Sequence, residues 1–134
     1  RPLRAAQAHV TVFLDLEIAL ELILRQDVGP IRDAGLLDAA LQRPASTLFG
    51  ADAYPDLAAK AAAMLESIVR NHSLVDGNER FGWFATMVFL DLNGADLDIP
   101  ADEAYDFVID VAAGRLDLDA ITGRFAAWIG ATRR

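Results

Sequence analysis

The sequence predicts an all-α protein, a compact bundle of about six helices arranged around one central, buried helix. Ala, Leu and Asp are abundant, whereas β-branched residues are sparse outside a few short runs. The apolar residues of most segments recur at helical spacing. One segment, Phe81 to Leu90, is apolar on almost every side, which is typical of a helix in the middle of a helical domain.

The composition indicates a single domain over positions 1–134, and it excludes several classes of protein. The chain has no cysteine, so it forms no disulfide or thiolate zinc site, and this suits a reducing cytoplasm. The net charge of -8 argues against binding nucleic acid through its phosphates and against binding an anionic membrane surface. No stretch is apolar over a length that spans a membrane. We therefore expect a cytoplasmic protein that contacts neither nucleic acid nor membrane.

The first two predicted helices are short. Asp15 can cap the first, which ends at the breaker pair Gly29-Pro30. The second runs from about Asp33 to Arg43, and Pro44 stops it. The residues expected to be buried follow at helical spacing: Ile18, Leu22 and Ile23 in the first helix, and Leu36, Leu37, Ala40 and Leu41 in the second.

A segment of about twelve residues, Pro44 to Pro55, follows and is longer than most helix–helix connections. Connections of this length are usually either functional or disordered. We expect this one to be ordered, because Leu48, Phe49 and Tyr54 can anchor it to the core.

Four further helices complete the predicted bundle. One runs from Asp56 to about Asn71, and the apolar helix runs from about Asn78 to Asn93, with Gly94 after its end. Another spans Pro100 to Gly114, and the last spans about Leu118 to Ile129. The residues expected to face the core are Leu57, Ala61, Met64, Leu65, Ile68, Tyr105, Val108, Ile109, Ala112, Leu118, Ile121, Phe125 and Ile129.

A polar run, His72 to Arg80, leads into the apolar helix. Histidine is the side chain most easily poised as a general base near neutral pH. Asp76 offers the hard oxygen ligands that Mg²⁺ prefers when it also holds substrate phosphates. Gly77-Asn78 opens a helix, where free N–H groups and the helix dipole favour anions, and Arg80 is a forked, always-charged phosphate partner. Together these residues indicate transfer of a phosphate-containing group.

Each of these residues also has a purely structural interpretation. Asp76-Gly77 is an ordinary turn pair, Asn78 is a good helix cap, and Glu79 stabilises a first helical turn. Arg80 can pair with Glu79 or Glu66, and a lone histidine in a loop is usually structural or solvated. We favour the functional interpretation because all these residues lie within nine positions at the head of a buried helix.

The polar run resembles the Fic-domain motif, H-x-F-x-[DE]-G-N-G-R, and more closely that of its Doc branch, H-x-F-x-D-x-N-K-R. The resemblance covers roughly Phe13 to Ile129 and extends to four further segments: Gly35 to Leu41, Arg43-Pro44, Tyr54 to Leu57, and Phe89 to Gly94. It implies a compact all-α fold of the Fic/Doc type and a nucleotide-dependent transferase that uses ATP and Mg²⁺. Doc proteins are the toxins of Phd–Doc toxin–antitoxin pairs. The resemblance therefore also implies a Phd-like antitoxin, whose disordered C-terminal segment folds on the toxin.

The resemblance implies roles for single residues as well. Carried over by position, it assigns His72 as the catalytic base, Asp76 as the Mg²⁺ ligand, and Gly77, Asn78, Arg80 and Arg70 as nucleotide- and phosphate-binding residues. The segment from Pro44 to Pro55 lies where the family has its target-docking flap.

Typical Fic enzymes transfer AMP, whereas Doc is known as a kinase of the translation factor EF-Tu. By resemblance we expect phosphorylation of a protein hydroxyl, with EF-Tu as the target and blocked translation as the result. Trp83 stands where AMP-transferring enzymes carry a second arginine, which favours the Doc branch, and Leu74 replaces the usual phenylalanine. Glu79 stands where Doc has lysine and Fic has glycine. The alternatives are AMP transfer to a protein hydroxyl and a catalytically attenuated Fic-fold binding protein.

Overall fold

The computed structural model describes residues 10–132 and confirms the all-α prediction. Its helices, in chain order, are α1 (Leu16–Gln26), α2 (Ala34–Gln42), α3 (Leu57–Asn71), α4 (Asn78–Leu92), α5 (Ala101–Ala112) and α6 (Leu118–Thr132). Between α2 and α3, a 3-10 turn (Arg43–Ala45) leads into a hairpin of two short antiparallel strands, β1 (Thr47–Leu48) and β2 (Ala51–Asp52). Across the described residues, no helix has the length and apolarity needed to cross a membrane.

Aspartate side chains begin the first three helices. The Asp15 carboxylate accepts a hydrogen bond from the Ile18 N–H at 2.8 Å, so the predicted cap is confirmed. Asp33 and Asp56 cap α2 and α3 in the same way, each accepting from the N–H three residues later. A cap of this kind stabilises a helix by about 1 kcal/mol, so these three positions fix where the helices start.

Helix α1 ends earlier than predicted, at Gln26. Asp27 adopts a left-handed conformation, with φ 53° and ψ 50°, and its N–H bonds to the last carbonyls of the helix. The chain therefore leaves the helix before Gly29-Pro30. Residues 27–33 run instead beside the loop that follows α3.

The central helix of the bundle is α3, and the expectation that the apolar helix after Asn78 would be central is wrong. Helix α3 packs against α2, α4, α5 and α6 and against the 3-10 turn. Its five consecutive residues from Ala61 to Leu65 are fully buried. Three of the five are alanines, whose small side chains allow neighbouring helices to approach on every side. A helix buried in this way looks less apolar in the sequence than one that carries large side chains.

Helix α4 lies directly on α3. None of its residues from 81 to 90 is exposed, as the apolar run predicted. Where the two helices cross, a Cβ atom at Gly82 would lie 2.7 Å from Cγ1 of Val69 and 3.2 Å from Cγ2 of Ile68. The close approach of α4 to α3 therefore depends on the missing side chain at position 82.

The segment after α2 is ordered, but two of its three expected anchors are wrong. Leu48 is 61% exposed and Phe49 is 98% exposed. They sit at the tip of the hairpin, where Phe49 and Gly50 both have positive φ, as a two-residue turn of the primed type requires. Both apolar side chains point into solvent, and of the three expected anchors only Tyr54 holds the segment.

Tyr54 is held by hydrogen bonds to both its side chain and its backbone. Its hydroxyl accepts a hydrogen bond from Nε of Arg43 at 2.9 Å. Its carbonyl oxygen accepts one from the buried ammonium of Lys60, which also reaches the Asp52 carboxylate at 3.4 Å. Burial acts to lower the pKa of Arg43, but its hydrogen bonds to Glu66 and Tyr54 outweigh burial and leave the pKa raised. Arg43 therefore stays charged. Its hydrogen bond to Tyr54 and its ion pair with Glu66 hold the segment that carries the hairpin.

Candidate functional site

The loop between α3 and α4, residues 72–77, is bonded along its length to segment 27–33. The backbone hydrogen bonds run from Gly29 N–H to Asp76 O (2.9 Å), Val75 N–H to Pro30 O (2.8 Å), Arg32 N–H to Ser73 O (2.7 Å) and Asp33 N–H to Ser73 O (3.0 Å). Ile31 and Leu74 form an antiparallel bridge between the two segments. Leu74 is 1% exposed, so it anchors the loop as the sequence suggested. These contacts make the polar run a fixed structural element.

The Asn78 side chain closes the loop from inside. Its Oδ1 accepts a hydrogen bond from the Leu74 N–H, and its Nδ2 donates one to the Leu74 carbonyl, both at 3.0 Å. The structural alternative in which Asn78 caps the helix does not hold, because the N-cap is Gly77 and α4 begins without a side-chain cap. The first N–H groups of α4 therefore remain available to an anion.

Gly77 is required by both conformation and space. Its φ of 86° lies in the left-handed region, which favours glycine. A Cβ atom at this position would overlap Cγ1 of Val28 and lie 2.7 Å from its Cβ. The start of α4 is thus pressed against segment 27–33.

A cavity of about 780 Å³ opens at this junction. Its polar end is lined by Asp27, Asp76, Gly77, Glu79 and Arg80. Its apolar wall comes mainly from α4 and α5: Trp83, Phe84, Ile99, Tyr105, Val108 and Ile109. A pocket of this volume, with polar groups at one end and aromatic and aliphatic groups at the other, suits a small molecule that has an anionic part and a flat apolar part.

The structure brings together some of the predicted site residues and separates others. Asp76, Gly77 and Arg80 line the cavity, whereas His72, Asn78 and Arg70 do not. His72 is exposed where α3 ends, in a left-handed conformation with φ 55° and ψ 49°.

Arg70 faces another part of the molecule. Its guanidinium donates to the carbonyl oxygens of Val111 at 2.9 Å and Leu116 at 2.8 Å, and it pairs with Glu66 at 2.7 Å. These contacts tie α3 to the α5–α6 connection, so the geometry gives Arg70 a structural role.

The polar end of the cavity holds more carboxylates than cations. Asp27, Asp76 and Glu79 face a single guanidinium, that of Arg80, whose Nη1 donates to the Gln26 carbonyl at 3.0 Å. The structural alternative for Arg80, pairing with Glu79 or Glu66, is not what the structure shows. Within residues 10–132 Glu79 forms no ion pair, and Glu66 is engaged by Arg43 at 2.8 Å and by Arg70.

With three carboxylates and one guanidinium, this end of the cavity suits a polyanion only when a cation binds together with it. No group of three or more His, Asp or Glu side chains in the described part of the chain is arranged to hold a metal ion alone. Mg²⁺, however, is commonly bound by one or two carboxylates together with substrate phosphates. Asp76 is well placed for that arrangement, because it adjoins the uncapped start of α4.

Trp83 joins the cavity wall to an aromatic cluster made with Phe107, Phe125 and Trp128. Its ring lies parallel to that of Phe125 at 6.3 Å and edge-on to Phe107 at 6.1 Å. Phe107 in turn contacts Trp128 edge-on at 5.0 Å. Trp83 is therefore part of an apolar packing unit.

Two parts of the cavity were missed from the sequence. Segment 26–29 supplies one wall, although Gly29-Pro30 was interpreted only as the end of a helix. Tyr105 was expected to face the core, and this is wrong, because it is 66% exposed and lines the cavity mouth. The sequence does contain a signal for this exposure, because Tyr105 lies among Asp102, Glu103 and Asp106 on the polar side of its helix.

The geometry agrees with two comparisons with known proteins. Residues 7–90 match the Fic/DOC family, a range that includes the polar run and segment 27–33, which holds it. Over 105 residues the chain is 49% identical to the protein named Toxin Doc from Mycolicibacterium smegmatis (strain ATCC 700084 / mc(2)155). That alignment covers 77% of this chain and 81% of the relative. The resemblance inferred from the sequence is confirmed, and the chain belongs to the Fic/DOC family.

Proposed function

We propose that this protein is the toxin of a toxin–antitoxin pair and a cytoplasmic transferase that moves a phosphoryl group from ATP to a protein hydroxyl. By its resemblance to the Doc branch, the target is EF-Tu and the consequence is blocked translation. The observation that carries the proposal is the uncapped start of α4, set between Asp76 and Arg80 at the polar end of an apolar cavity. The relative named Toxin Doc supports the biological role.

In this proposal the N–H groups at the start of α4 and the Arg80 guanidinium hold the phosphates of ATP. Asn78 contributes its backbone N–H, since its side chain is committed to Leu74. Trp83, Phe84 and Tyr105 offer apolar and aromatic surface to the base of the nucleotide. Asp76 holds Mg²⁺, which offsets the negative charge of the phosphates and of the neighbouring carboxylates.

The chemical step requires a base that a hydroxyl of another protein can reach while that hydroxyl approaches the γ-phosphate. His72 fits this requirement, being exposed and on the loop that ends at Gly77. Its imidazole takes the proton of the hydroxyl as the hydroxyl oxygen bonds to the γ-phosphorus. The bond from that phosphorus to the bridging oxygen breaks, and ADP leaves with the electron pair.

The position of Glu79 favours a second candidate, a catalytically attenuated protein that binds its partner without chemistry. Its carboxylate lines the cavity and has no cationic partner within residues 10–132. A carboxylate about 5 Å from a phosphate oxygen costs on the order of 3 kcal/mol at an effective dielectric of 20. Such a cost weakens nucleotide binding unless the metal and Arg80 offset it.

Labelled ATP separates the candidates. The protein is incubated with purified EF-Tu, Mg²⁺ and ATP labelled at the γ or the α position. Transfer of γ label indicates phosphorylation, transfer of α label indicates AMP transfer, and transfer of neither supports the binding role. His72→Ala must abolish any transfer, since otherwise the base is misassigned. Repeating the incubation in a cell lysate identifies a different target if EF-Tu is not labelled.

The antitoxin is the remaining part of the proposal. A Phd-like partner with a disordered C-terminal segment would fold on this protein as a helix. Co-expression with a Phd-like protein should relieve growth arrest and yield a stable complex. Unrelieved arrest in cells that contain both proteins would count against that partner.

A further inference from the structure

The backbone at His72 is held in an uncommon conformation. A left-handed residue other than glycine is favoured only when its surroundings fix it, although histidine tolerates the region better than most residues. His72 also follows the last turn of α3, where carbonyl oxygens have no partner inside the helix. Its placement therefore depends on groups outside α3.

The side chain of Arg32 fixes the backbone at His72. Its Nε donates a 2.7 Å hydrogen bond to the carbonyl oxygen of His72, and its Nη2 donates a 3.3 Å bond to the carbonyl oxygen of Asn71. One planar guanidinium thus bridges two consecutive carbonyls at the end of α3. An arginine at this place also complements the negative end of the helix dipole.

Further hydrogen bonds near Arg32 also fix the chain just after His72. The N–H groups of Arg32 and Asp33 both donate to the Ser73 carbonyl, at 2.7 and 3.0 Å. The Asn71 side chain accepts from the Ser73 N–H at 3.2 Å and donates to the Leu36 carbonyl at 3.0 Å. Apart from Asn71 at the end of α3, every partner in these contacts comes from residues 32–36, and among them only the Arg32 side chain reaches the carbonyl of His72.

We infer that Arg32 is a positioning residue for the proposed base: it fixes the peptide at His72 so that the imidazole meets the acceptor hydroxyl in one orientation. This rests on the proposed role of His72. Arg32 does not line the nucleotide cavity, so it acts through His72 and not through ATP. The effect of losing it is on the rate of the chemical step and not on nucleotide affinity.

Kinetics of Arg32→Ala test the inference, with γ-labelled ATP and purified EF-Tu as the probes. The expected result is a kcat lower by about 10- to 100-fold with an unchanged KM for ATP. Arg32→Lys should recover part of kcat, because an ammonium can still donate to one of the carbonyls. Arg25→Ala is the matched control, since Arg25 is an exposed arginine paired only with Glu21 in the described structure, and it should leave kcat unchanged. Unchanged kcat in Arg32→Ala overturns the inference, as does an equal loss in both Arg32 variants together with lower thermal stability.

A second readout does not depend on activity. The chain has two histidines, His9 and His72, so in a His9→Gln background the imidazole NMR signals come from His72 alone. Arg32→Ala should shift or broaden those signals, Arg32→Lys should do so less, and Arg25→Ala should leave them in place. Identical spectra would refute the inference even if EF-Tu is labelled normally. Absence of labelling by the unmodified protein would instead count against the proposed function and leave the spectral test decisive for Arg32.

Discussion

The side-chain amide of Asn78 makes a reciprocal pair of hydrogen bonds with the backbone of Leu74, one to its N–H and one to its carbonyl, both at 3.0 Å. Both residues are buried, so neither backbone group has water as a substitute partner. The four-residue spacing closes the polar loop into a ring at the head of α4. The amide therefore serves as a clamp that shapes the loop.

Asn78→Ala should lower the free energy of unfolding by about 2–3 kcal/mol, because it leaves two buried backbone groups unpaired. Asn78→Asp should cost a similar amount, since a carboxylate accepts from the N–H but faces the Leu74 carbonyl with negative charge. Urea denaturation measures both. Gln42→Ala, at an exposed position, serves as the control and should change little. If Asn78→Ala is as stable as the control variant, the clamp is not energetically important.

Gly77→Ala should destabilise the protein by about 2–4 kcal/mol, since it combines a left-handed backbone with a contact too short for carbon atoms. The matched control is Gly123→Ala in α6, where an added Cβ meets nothing within 4 Å. There the helix should gain up to about 1 kcal/mol. Adding Val28→Gly to Gly77→Ala separates the two causes, because it removes both Val28 atoms that clash, Cγ1 and Cβ, and leaves the backbone strain at position 77. Equal stability of the single and double variants would show that the contact with Val28 does not matter.

Glu79→Lys should tighten binding of Mg²⁺–ATP, because it replaces a repulsive charge at the polar end of the cavity by an attractive one. The expected gain is on the order of 3 kcal/mol per charge altered, falling as salt rises. Isothermal titration calorimetry at two ionic strengths measures it, with Glu79→Gln as the intermediate case. Glu21→Lys, on the exposed face of α1, controls for a change in overall charge. An unchanged affinity in Glu79→Lys would mean that this carboxylate does not weaken nucleotide binding. Unchanged toxicity would mean that it does not limit the activity of the protein in cells either.

Glu66 pairs with two arginines at once, Arg43 at 2.8 Å and Arg70 at 2.7 Å, and its side chain is 14% exposed. Glu66→Ala leaves both guanidiniums without their carboxylate, so it should cost about 3 kcal/mol of stability by thermal or urea unfolding. The pair Arg115–Asp110 is the control, because both side chains are largely exposed. Asp110→Ala should cost at most about 1 kcal/mol. Similar losses of stability in the two variants would contradict the prediction that the more buried ion pairs contribute more.

The raised pKa of Arg43 adds a statement about pH. A raised pKa in the folded state stabilises the protein below the unfolded value and is lost only as the pH rises through the raised one. Both values lie above the range in which proteins are handled. The contribution of Arg43 should therefore stay constant with pH, and any pH dependence of stability should persist unchanged in Arg43→Met.

Local features of the chain were predictable because their causes lie within a few residues. The Asp15 cap, the helical spacing of Ile121, Phe125 and Ile129, and the apolar run of α4 all follow from neighbouring residues. The polar run identified the family for the same reason, since a motif of nine residues is read from the sequence alone.

The tertiary structure decided what depends on contacts between distant segments. It made α3 the centre of the bundle, because alanines admit neighbours on all sides although they carry little apolar surface. It directed Arg70 to carbonyls more than forty residues away and Arg32 to the carbonyl of His72. Hydrogen bonds of this kind leave no periodic trace in a sequence. Thus the sequence determined which chemical groups the site contains, and packing decided which of them face the cavity and which hold the others in place.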